Sequence, residues 1–337
     1  MIKRILMTAV LVLGFYGLAS AETIRLSYAN FPPANTFPSV QMERWKQEVE
    51  ARTDGKVQID TYPGGSLLGA KNMFRGVIQG QADIGNLSMS YQPGVFPMTS
   101  VLELPVGFTS ARVASVVLWD LYEEYQPEEF DQVKVLTMFA NAPSNLMTKD
   151  PVKSLEDMKG LEIRASGTAS RILEVLGATP VSMPMPETPE ALQRGMVSGL
   201  LSSMEVLLDF NFAAYTPYQT RLDLQIYPFA VVMNKKQWNS LPEDVRQVME
   251  DLGREQAIWT GTYMDGHVEK ALEYARENYD AQLFELTPAE HAEISSKLEV
   301  LIDEWKVEAT KKGLDADAIF ADMIRIKEYY ESEAQDQ

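Results

Sequence analysis

The sequence predicts an α/β fold divided into two domains that meet at a cleft. Short β-rich runs alternate with amphipathic helical stretches along the chain, which is typical of α/β proteins. The chain has 337 residues, and single hydrophobic cores stop growing below that length, so two domains are expected. No low-complexity linker divides the chain, which indicates that it crosses between the domains more than once.

The N-terminal residues 1–21 have the pattern of a secretory signal peptide. Lys3 and Arg4 precede an apolar run from Ile5 to Leu18, and the small residues Ala19-Ser20-Ala21 follow it. The run is shorter than the roughly 20 residues that span a bilayer, and the chain has no cysteine that could carry a lipid anchor. We therefore expect cleavage, export to the periplasm, and a mature chain that is not embedded in the membrane.

Strands and helices alternate in two predicted units that share an architecture but no sequence repeat. The first unit contains Ile24–Ala29 (strand), Ser39–Arg52 (helix), Lys56–Tyr62 (strand), Asn72–Gln79 (helix) and Ala82–Leu87 (strand). The second contains Val133–Phe139 (strand), Ser154–Lys159 (helical turn), Leu161–Ala165 (strand), Gly167–Leu176 (helix), Thr179–Met183 (strand) and Thr188–Val197 (helix).

The C-terminal third is predicted to be mostly helical and to pack across both domains. Before it, Leu222–Asn234 is predicted as one strand, long enough to pass from one domain into the other, since strands average five or six residues. Helices are expected over Pro242–Asn278, from Thr287 onwards, and over Asp315–Glu331. Capping-box patterns at Ser240-Leu241-Pro242-Glu243 and at Thr287-Pro288-Ala289-Glu290 mark the starts of the first two.

The composition excludes several classes of function. The absence of cysteine excludes disulfides, thiolate nucleophiles and zinc sites built on sulfur. A net charge of −18 repels nucleic acid and anionic lipid, so neither is an expected partner. The two histidines, His267 and His291, fall in predicted acidic helices where surface positions are expected, and no glycine motif fits a phosphate loop. We expect no enzyme, no cofactor and no metal site.

Arg164 is the residue whose position best suits anion binding. Its strand is predicted to end near Ala165, and a helix begins directly afterwards at Gly167. Ligands of open α/β sheets bind at the carboxyl ends of strands, and a helix N-terminus favours negative charge. The guanidinium can grip a carboxylate with two parallel hydrogen bonds. A surface ion pair with Glu162 or Glu156 is the alternative that the residues alone leave open.

Eight sequence elements, in order, resemble one family of transport proteins. They are the Pro-Pro loop after Phe31, Thr53–Val57 (TDGKV), Tyr62–Gly69 (YPGGSLLG), Gly80–Gly85 (GQADIG), Pro151–Arg164 (PVKSLEDMKGLEIR), Leu176–Val181 (LGATPV), Ala191–Gly199 (ALQRGMVSG) and Met233–Pro242 (MNKKQWNSLP). Together they cover nearly the whole mature chain. The chain resembles the substrate-binding subunit of tripartite ATP-independent periplasmic (TRAP) transporters.

The resemblance implies a periplasmic binding protein of two lobes with mixed sheets, hinge-crossing strands and a long helix in the C-terminal region that spans both lobes. Lobe I is expected to contain residues 22–141 and 229–269. Lobe II is expected to contain residues 142–228 and, with the C-terminal helices, residues 270–337. The family places a carboxylate-anchoring arginine at the position of Arg164. It also implies hinge closure on the ligand and delivery to two integral-membrane subunits.

Seven further residues are expected near the ligand. Ser88, Ser144 and Ser202 fall where the family places polar contacts, and the apolar candidates for the cleft include Phe31, Tyr91, Met204 and Phe229. The stretch Asn141–Asn145 lacks the second arginine of sialic-acid-binding members, and Ser198 replaces an aspartate that many relatives carry.

One arginine among aromatic candidates favours a small monocarboxylate with a bulky or aromatic group, such as an indole carboxylate or tryptophan. A 2-oxo acid, a small hydroxy acid and a C4 dicarboxylate are the alternative ligands. A receptor for a sensor kinase is the nearest alternative function. An exported enzyme with Glu187 or Glu205 as base is a more distant one.

Overall fold

The computed structural model describes residues 23–335, so the predicted signal peptide lies outside the described residues. The β-strands in chain order are β1 (Ile24–Asn30), β2 (Val57–Tyr62), β3 (Ile84–Ser88), β4 (Val133–Ala140), β5 (Asn145–Thr148), β6 (Glu162–Ala165), β7 (Thr179–Ser182), β8 (Gly199–Ser202), β9 (Tyr218–Arg221), β10 (Pro228–Asn234) and β11 (Gln282–Glu285). The α-helices are α1 (Phe37–Arg52), α2 (Met73–Ile78), α3 (Ala111–Tyr125), α4 (Thr168–Val175), α5 (Thr188–Gln193), α6 (Val206–Asp209), α7 (Lys235–Ser240), α8 (Glu243–Tyr279), α9 (Pro288–Lys311) and α10 (Ala316–Gln335).

These strands form two mixed sheets, as the sequence predicted. The first sheet has the order β2-β1-β3-β10-β4, in which β1 is parallel to β2 and β3 while β10 is antiparallel to both of its neighbours. The second has the order β11-β9-β5-β8-β6-β7, in which β6 is parallel to β7 and β8. Arg164 of β6 pairs in register with Leu200 of β8.

Between β4 and β10, the chain crosses from one sheet to the other twice. It leaves the first sheet between β4 and β5 and returns between β9 and β10. The prediction of one continuous strand over Leu222–Asn234 is wrong in its first half, because the strand begins only at Pro228. Asp223 has a φ of 46°, a left-handed conformation that interrupts an extended strand.

Side chains at the outgoing crossing, between β4 and β5, accept hydrogen bonds from backbone amides of the returning crossing, between β9 and β10. The Asn145 side-chain oxygen accepts hydrogen bonds from the amides of Leu222 and Asp223, and the Asn141 oxygen accepts one from Tyr227. The two crossings are therefore tied to each other by hydrogen bonds that no β-ladder provides.

Helix α8 is 37 residues long and connects the two halves of the structure. It packs against α1, α3 and β4 on the side of the first sheet and against α6 on the side of the second. Its predicted capping box is wrong: Ser240 ends α7 and donates its hydroxyl to the Gln237 carbonyl. The second capping box is confirmed, since Thr287 and Glu290 bond each other's backbone amides at the start of α9.

Helix α3 lies in a stretch where the sequence analysis assigned no element. Its residues from Ala111 to Leu121 are almost all buried, and the Ser110 side chain caps its start by accepting from the Val113 amide. Within residues 23–335, no helix is both long enough and apolar enough to cross a membrane.

Candidate functional site

A cavity of about 40 Å³ lies between the two sheets. Several lining residues sit at or just after the carboxyl ends of strands: Phe31 follows β1, Ser88 ends β3, and Ser202 ends β8. Arg164 and Ser166 come from β6 and the turn that follows it. This is the edge at which α/β sheets bind ligands.

Arg164 is buried in the wall of this cavity, with 1% of its surface exposed. Its Nε and Nη2 atoms donate to the Met183 carbonyl at 3.0 and 2.8 Å, and Nη2 lies 3.4 Å from the Tyr91 hydroxyl. Between residues 23 and 335, no carboxylate lies within 4.0 Å of the guanidinium, and no acceptor bonds Nη1. The alternative of a surface ion pair is therefore wrong, and Glu156 pairs instead with Lys159.

The N-terminus of α4 does not face an open anion site, contrary to the sequence argument. The Thr168 amide donates to Glu103 at 2.8 Å, and the Ser90 hydroxyl donates to the same carboxyl group at 2.6 Å. Burial raises the pKa of Glu103. Gly167 has a φ of 55°, and a Cβ there would lie 2.4 Å from Glu103, so only glycine permits this approach. The cationic donors that line the cavity thus come from Arg164, and the N-terminus of α4 is occupied by Glu103.

Aromatic rings form much of the remaining wall. Phe31 meets Tyr91 edge-on at 5.5 Å, and Phe37 meets Phe229 edge-on at 5.8 Å. The Tyr91 hydroxyl also accepts a hydrogen bond from the Met185 amide at 3.0 Å, which links the first-sheet side to the second. Tyr227 donates to the Leu201 carbonyl, and burial raises its pKa to about 12, so it stays a neutral donor.

The structure brings six of the eight expected site residues together and places two elsewhere. The six that line the cavity are Arg164, Phe31, Ser88, Tyr91, Ser202 and Phe229. Ser144 is buried in the outgoing crossing, where its hydroxyl accepts from Gln225. Met204 is buried beside a different depression, on the side of His291 and Ser295. Both depart from expectation because the chain turns directly after β4 and after β8.

Two acidic residues of the cavity, Glu205 and Asp209, were not predicted as site residues. Glu205 is 4% exposed, and its Oε2 atom has no hydrogen-bond partner within the described part of the chain. Burial, with the nearby Asp209 charge as a further cause, raises the pKa of Glu205 well above its ordinary value, although a hydrogen bond from Ser203 opposes the shift. The sequence signal that could have indicated these two residues is their four-residue spacing within the apolar run from Met204 to Phe212.

Asp209 holds three parts of the structure together. Its Oδ2 accepts from the Phe37 amide at 2.8 Å, its Oδ1 lies 2.7 Å from His267 Nε2, and its carbonyl accepts from Asn35. His267 is therefore buried, contrary to the expected surface position, and it stacks on Tyr263. Asp209 joins the first turn of α1, the short helix α6 and the long helix α8.

Comparison with family models identifies the architecture, since residues 28–308 match the model of the bacterial extracellular solute-binding proteins, family 7. The chain belongs to this family. Members of family 7 are solute-binding proteins rather than enzymes, so the alternative of an exported enzyme is wrong. The family 7 chain also has no group of three or more potential metal ligands within residues 23–335.

Solved TRAP solute-binding proteins share the fold of this family 7 chain. One from Desulfovibrio salexigens is 60% identical over 91% of this chain and 97% of that one, with a TM-score of 0.83, and is an open complex with the C-terminus of a symmetry mate in its ligand site. One from Rhodoferax ferrireducens, with co-purified benzoate, is 25% identical over 93% and 100%, with a TM-score of 0.88. These matches confirm the TRAP resemblance and the two-lobed fold.

A third structure comes from an unidentified marine microbe and is described as specific for aromatic acid ligands. It was solved in complex with metahydroxyphenylacetate, and it is 27% identical over 91% of this chain and 99% of that one, with a TM-score of 0.87. Proteins of this fold therefore bind small organic acids.

Proposed function

We propose that this protein is a receptor for a small organic monocarboxylate, which Arg164 anchors between the two lobes. The observation that carries the proposal is a buried guanidinium that lines a cavity and lacks an acidic partner among the described residues. Burying such a charge is costly unless an anion compensates it. A ligand carboxylate would supply that anion and would bond the Nη1 group.

The rest of the cavity favours an apolar, bulky or aromatic body on the ligand. Arg164 is the only Lys or Arg among the residues that line it, so a second carboxylate would find no cation there. Phe31, Phe37 and Phe229 offer aromatic faces and edges. This argues for a monocarboxylate rather than for a C4 dicarboxylate.

Relatives support the same class of ligand. One structural relative holds benzoate and another holds metahydroxyphenylacetate. In the 60% identical relative, the ligand site holds the C-terminus of a symmetry mate, which is a chain end that carries a carboxylate.

The cavity also supports a closing motion of two lobes, residues 22–141 with 229–269 and residues 142–228 with 270–337. The hydrogen bonds that bridge them include Phe37 to Asp209, Met185 to Tyr91, and Thr168 to Glu103. The benzoate complex resembles this structure more closely than the open relative does, although its sequence is far less similar. Both facts support a closed conformation here, which opens to admit ligand.

Delivery to two integral-membrane TRAP subunits in the periplasm is the proposed role of the bound state. Family membership supports it. Reporting to a sensor kinase is the second candidate. Uptake of the bound acid in cells that lack this protein separates the two candidates. Loss of uptake is expected for a transport receptor, whereas a sensor alone would leave the transporter working.

Titration calorimetry of acids against their uncharged amides tests the binding function. The wild-type protein should bind one acid, for example benzoate or indole-3-acetate, and should ignore the matching amide. Arg164→Ala should weaken that binding about a thousandfold, or about 4 kcal/mol, because a charge-assisted pair is lost. Arg164→Lys should also bind weakly, since an ammonium cannot reproduce the fork.

Arg194→Ala is the matched control, because Arg194 is exposed and pairs with Glu190 on the surface. Each variant must first show a cooperative melting curve. Affinity of a folded Arg164→Ala protein within a few fold of wild type would contradict the proposal.

A further inference from the structure

Glu205 is a buried acid that the protein itself leaves incompletely bonded. It follows β8 by three residues, stands at the start of α6 and lines the cavity. Its Oε2 atom is buried and has no partner within residues 23–335. Buried polar atoms in folded proteins are nearly always hydrogen-bonded, and an orphaned one destabilises the fold. Glu205 therefore needs a partner that the described chain does not supply.

The neighbours of Glu205 cannot provide that partner. Both carboxylate oxygens of Asp209 are already engaged, by the Phe37 amide and by His267. The Ser203 hydroxyl accepts from Asn141 and donates to the Glu205 carboxyl group, yet Oε2 still has no partner among the described residues. In the described part of the chain no Lys or Arg forms a salt bridge with Glu205. Among the other polar lining groups, Tyr91 and Tyr227 have bonds of their own, whereas the Ser166 hydroxyl is, like Glu205 Oε2, buried without a partner. The remaining candidate is a molecule in the cavity.

We propose that Glu205 is a specificity-determining residue that accepts a hydrogen bond from an uncharged N–H or O–H group on the apolar part of the ligand. The proposal rests on the carboxylate-binding function proposed above. Arg164 and Glu205 then recognise two different groups of one ligand. The substrate class narrows to aromatic or bulky monocarboxylates that carry a ring N–H or a hydroxyl group.

A donor fits this position better than an acceptor does. A carboxyl group keeps at least one acceptor oxygen whether it is ionised or protonated, so a ligand donor is satisfied in both states. The Asp209 carboxylate nearby makes the local potential negative, which favours the positive end of an N–H or O–H bond. Burial raises the pKa of Glu205 and so opposes its ionisation, which favours an uncharged ligand donor there over a cationic amine.

Pairs of acids with the same shape but with or without a donor test the proposal. Indole-3-acetate pairs with 1-benzothiophene-3-acetate, in which sulfur replaces the N–H group. 3-Hydroxyphenylacetate pairs with 3-methylphenylacetate. We expect wild-type protein to prefer the donor-bearing member of at least one pair about tenfold or more, because its analogue leaves Glu205 unpaired.

Variants then assign that preference to Glu205. Glu205→Leu should abolish or reverse it, whereas Glu205→Gln should retain part of it, since the amide keeps an acceptor oxygen. Glu129→Gln is the matched control: Glu129 is bonded by Thr99 and Met98 and does not line the cavity. The wild-type comparison stands even if a variant does not fold.

Two results would overturn the inference while leaving the receptor function intact. One is equal affinity of wild-type protein for both members of each pair, with binding still dependent on Arg164. The other is an undiminished preference in folded Glu205→Leu protein. Failure of folded wild-type protein to bind any carboxylate would instead contradict the receptor function, and the inference with it.

Discussion

At the scale of single residues, Arg164 and Glu205, two of the buried ionisable groups of the cavity, respond to burial in different ways. Arginine cannot lose its proton in a protein, so Arg164 keeps its charge and uses the Met183 carbonyl as a partial partner. Glutamic acid can take up a proton, and burial moves Glu205 in that direction. The cavity therefore presents a guanidinium without an acidic partner, together with Glu205, whose ionisation burial opposes, and Asp209, which the Phe37 amide and His267 already bond.

The raised pKa of Glu205 predicts how stability depends on pH. Because the folded-state pKa lies above the ordinary 4.5, the native state binds more protons, and stability falls as pH rises from about 4.5 through the folded-state pKa. Glu205→Gln removes this loss. The melting temperature of the variant minus that of wild type, measured without ligand, should therefore increase from pH 5 to pH 8.

The exposed Glu190 provides the control for that experiment, because Glu190→Gln removes a carboxylate that lies on the surface. Its difference from wild type should change little over the same range. A constant difference for Glu205→Gln across the range would show that Glu205 ionises normally in the folded protein.

At the scale of elements, helix α8 approaches its neighbours closely through glycine. A Cβ atom at Gly261 would lie 2.5 Å from the Arg112 Cα and 2.7 Å from the Ala111 carbonyl oxygen at the start of α3. In contrast, a Cβ at Gly266 in the same helix would meet nothing within 4 Å. The backbones of α3 and α8 are thus in contact at Gly261.

This contact predicts opposite effects for one substitution at two positions. Gly266→Ala should stabilise the protein by up to about 1 kcal/mol, because alanine is the better helix former. Gly261→Ala should destabilise it by about 1–3 kcal/mol, because the added methyl group overlaps backbone atoms that cannot easily move. Urea unfolding of the two variants measures both effects. Equal stabilisation at both positions would contradict the close packing of α3 and α8.

Most elements with a clear hydrophobic periodicity, or with recognisable turn and capping residues at their ends, were predictable from the sequence. Strands such as β1 and β2, and the capped start of α9, lie within a few residues of their predicted positions. Helix α3 was missed although Ser110, which caps its start, is a signal that the sequence offers. The strand at Leu222 was overextended because side-chain bonds from Asn145, distant in sequence, replace the ladder there.

The candidate site was predictable only where a motif marks it. Arg164 lies in a long motif, whereas Glu205 and Asp209 are short-range features without one. Their burial depends on partners far along the chain: Phe37 is 172 residues from Asp209, and His267 is 58 residues from it. Such approaches follow from the tertiary fold, so composition and spacing alone could not place these carboxyl groups in a cavity.

At the scale of the whole molecule, the two sheets are connected by two crossings and share helix α8. In the closing motion proposed above, the lobes rotate about these connections, and the bridges at Asp209, Tyr91 and Glu103 break when the cleft opens. A carboxylate bound at Arg164 would add contacts to the closed state alone and so shift the population towards it.

The central claim, that two lobes close around a carboxylate anchored at Arg164, is tested most directly by small-angle X-ray scattering. Wild-type protein and Arg164→Ala are each measured free and with an acid concentration that saturates wild type. A compact chain of this length has a radius of gyration of about 20 Å. The account predicts that ligand compacts wild-type protein towards that value and leaves Arg164→Ala unchanged. Identical curves for free and saturated wild type, or equal compaction of the variant, would contradict it.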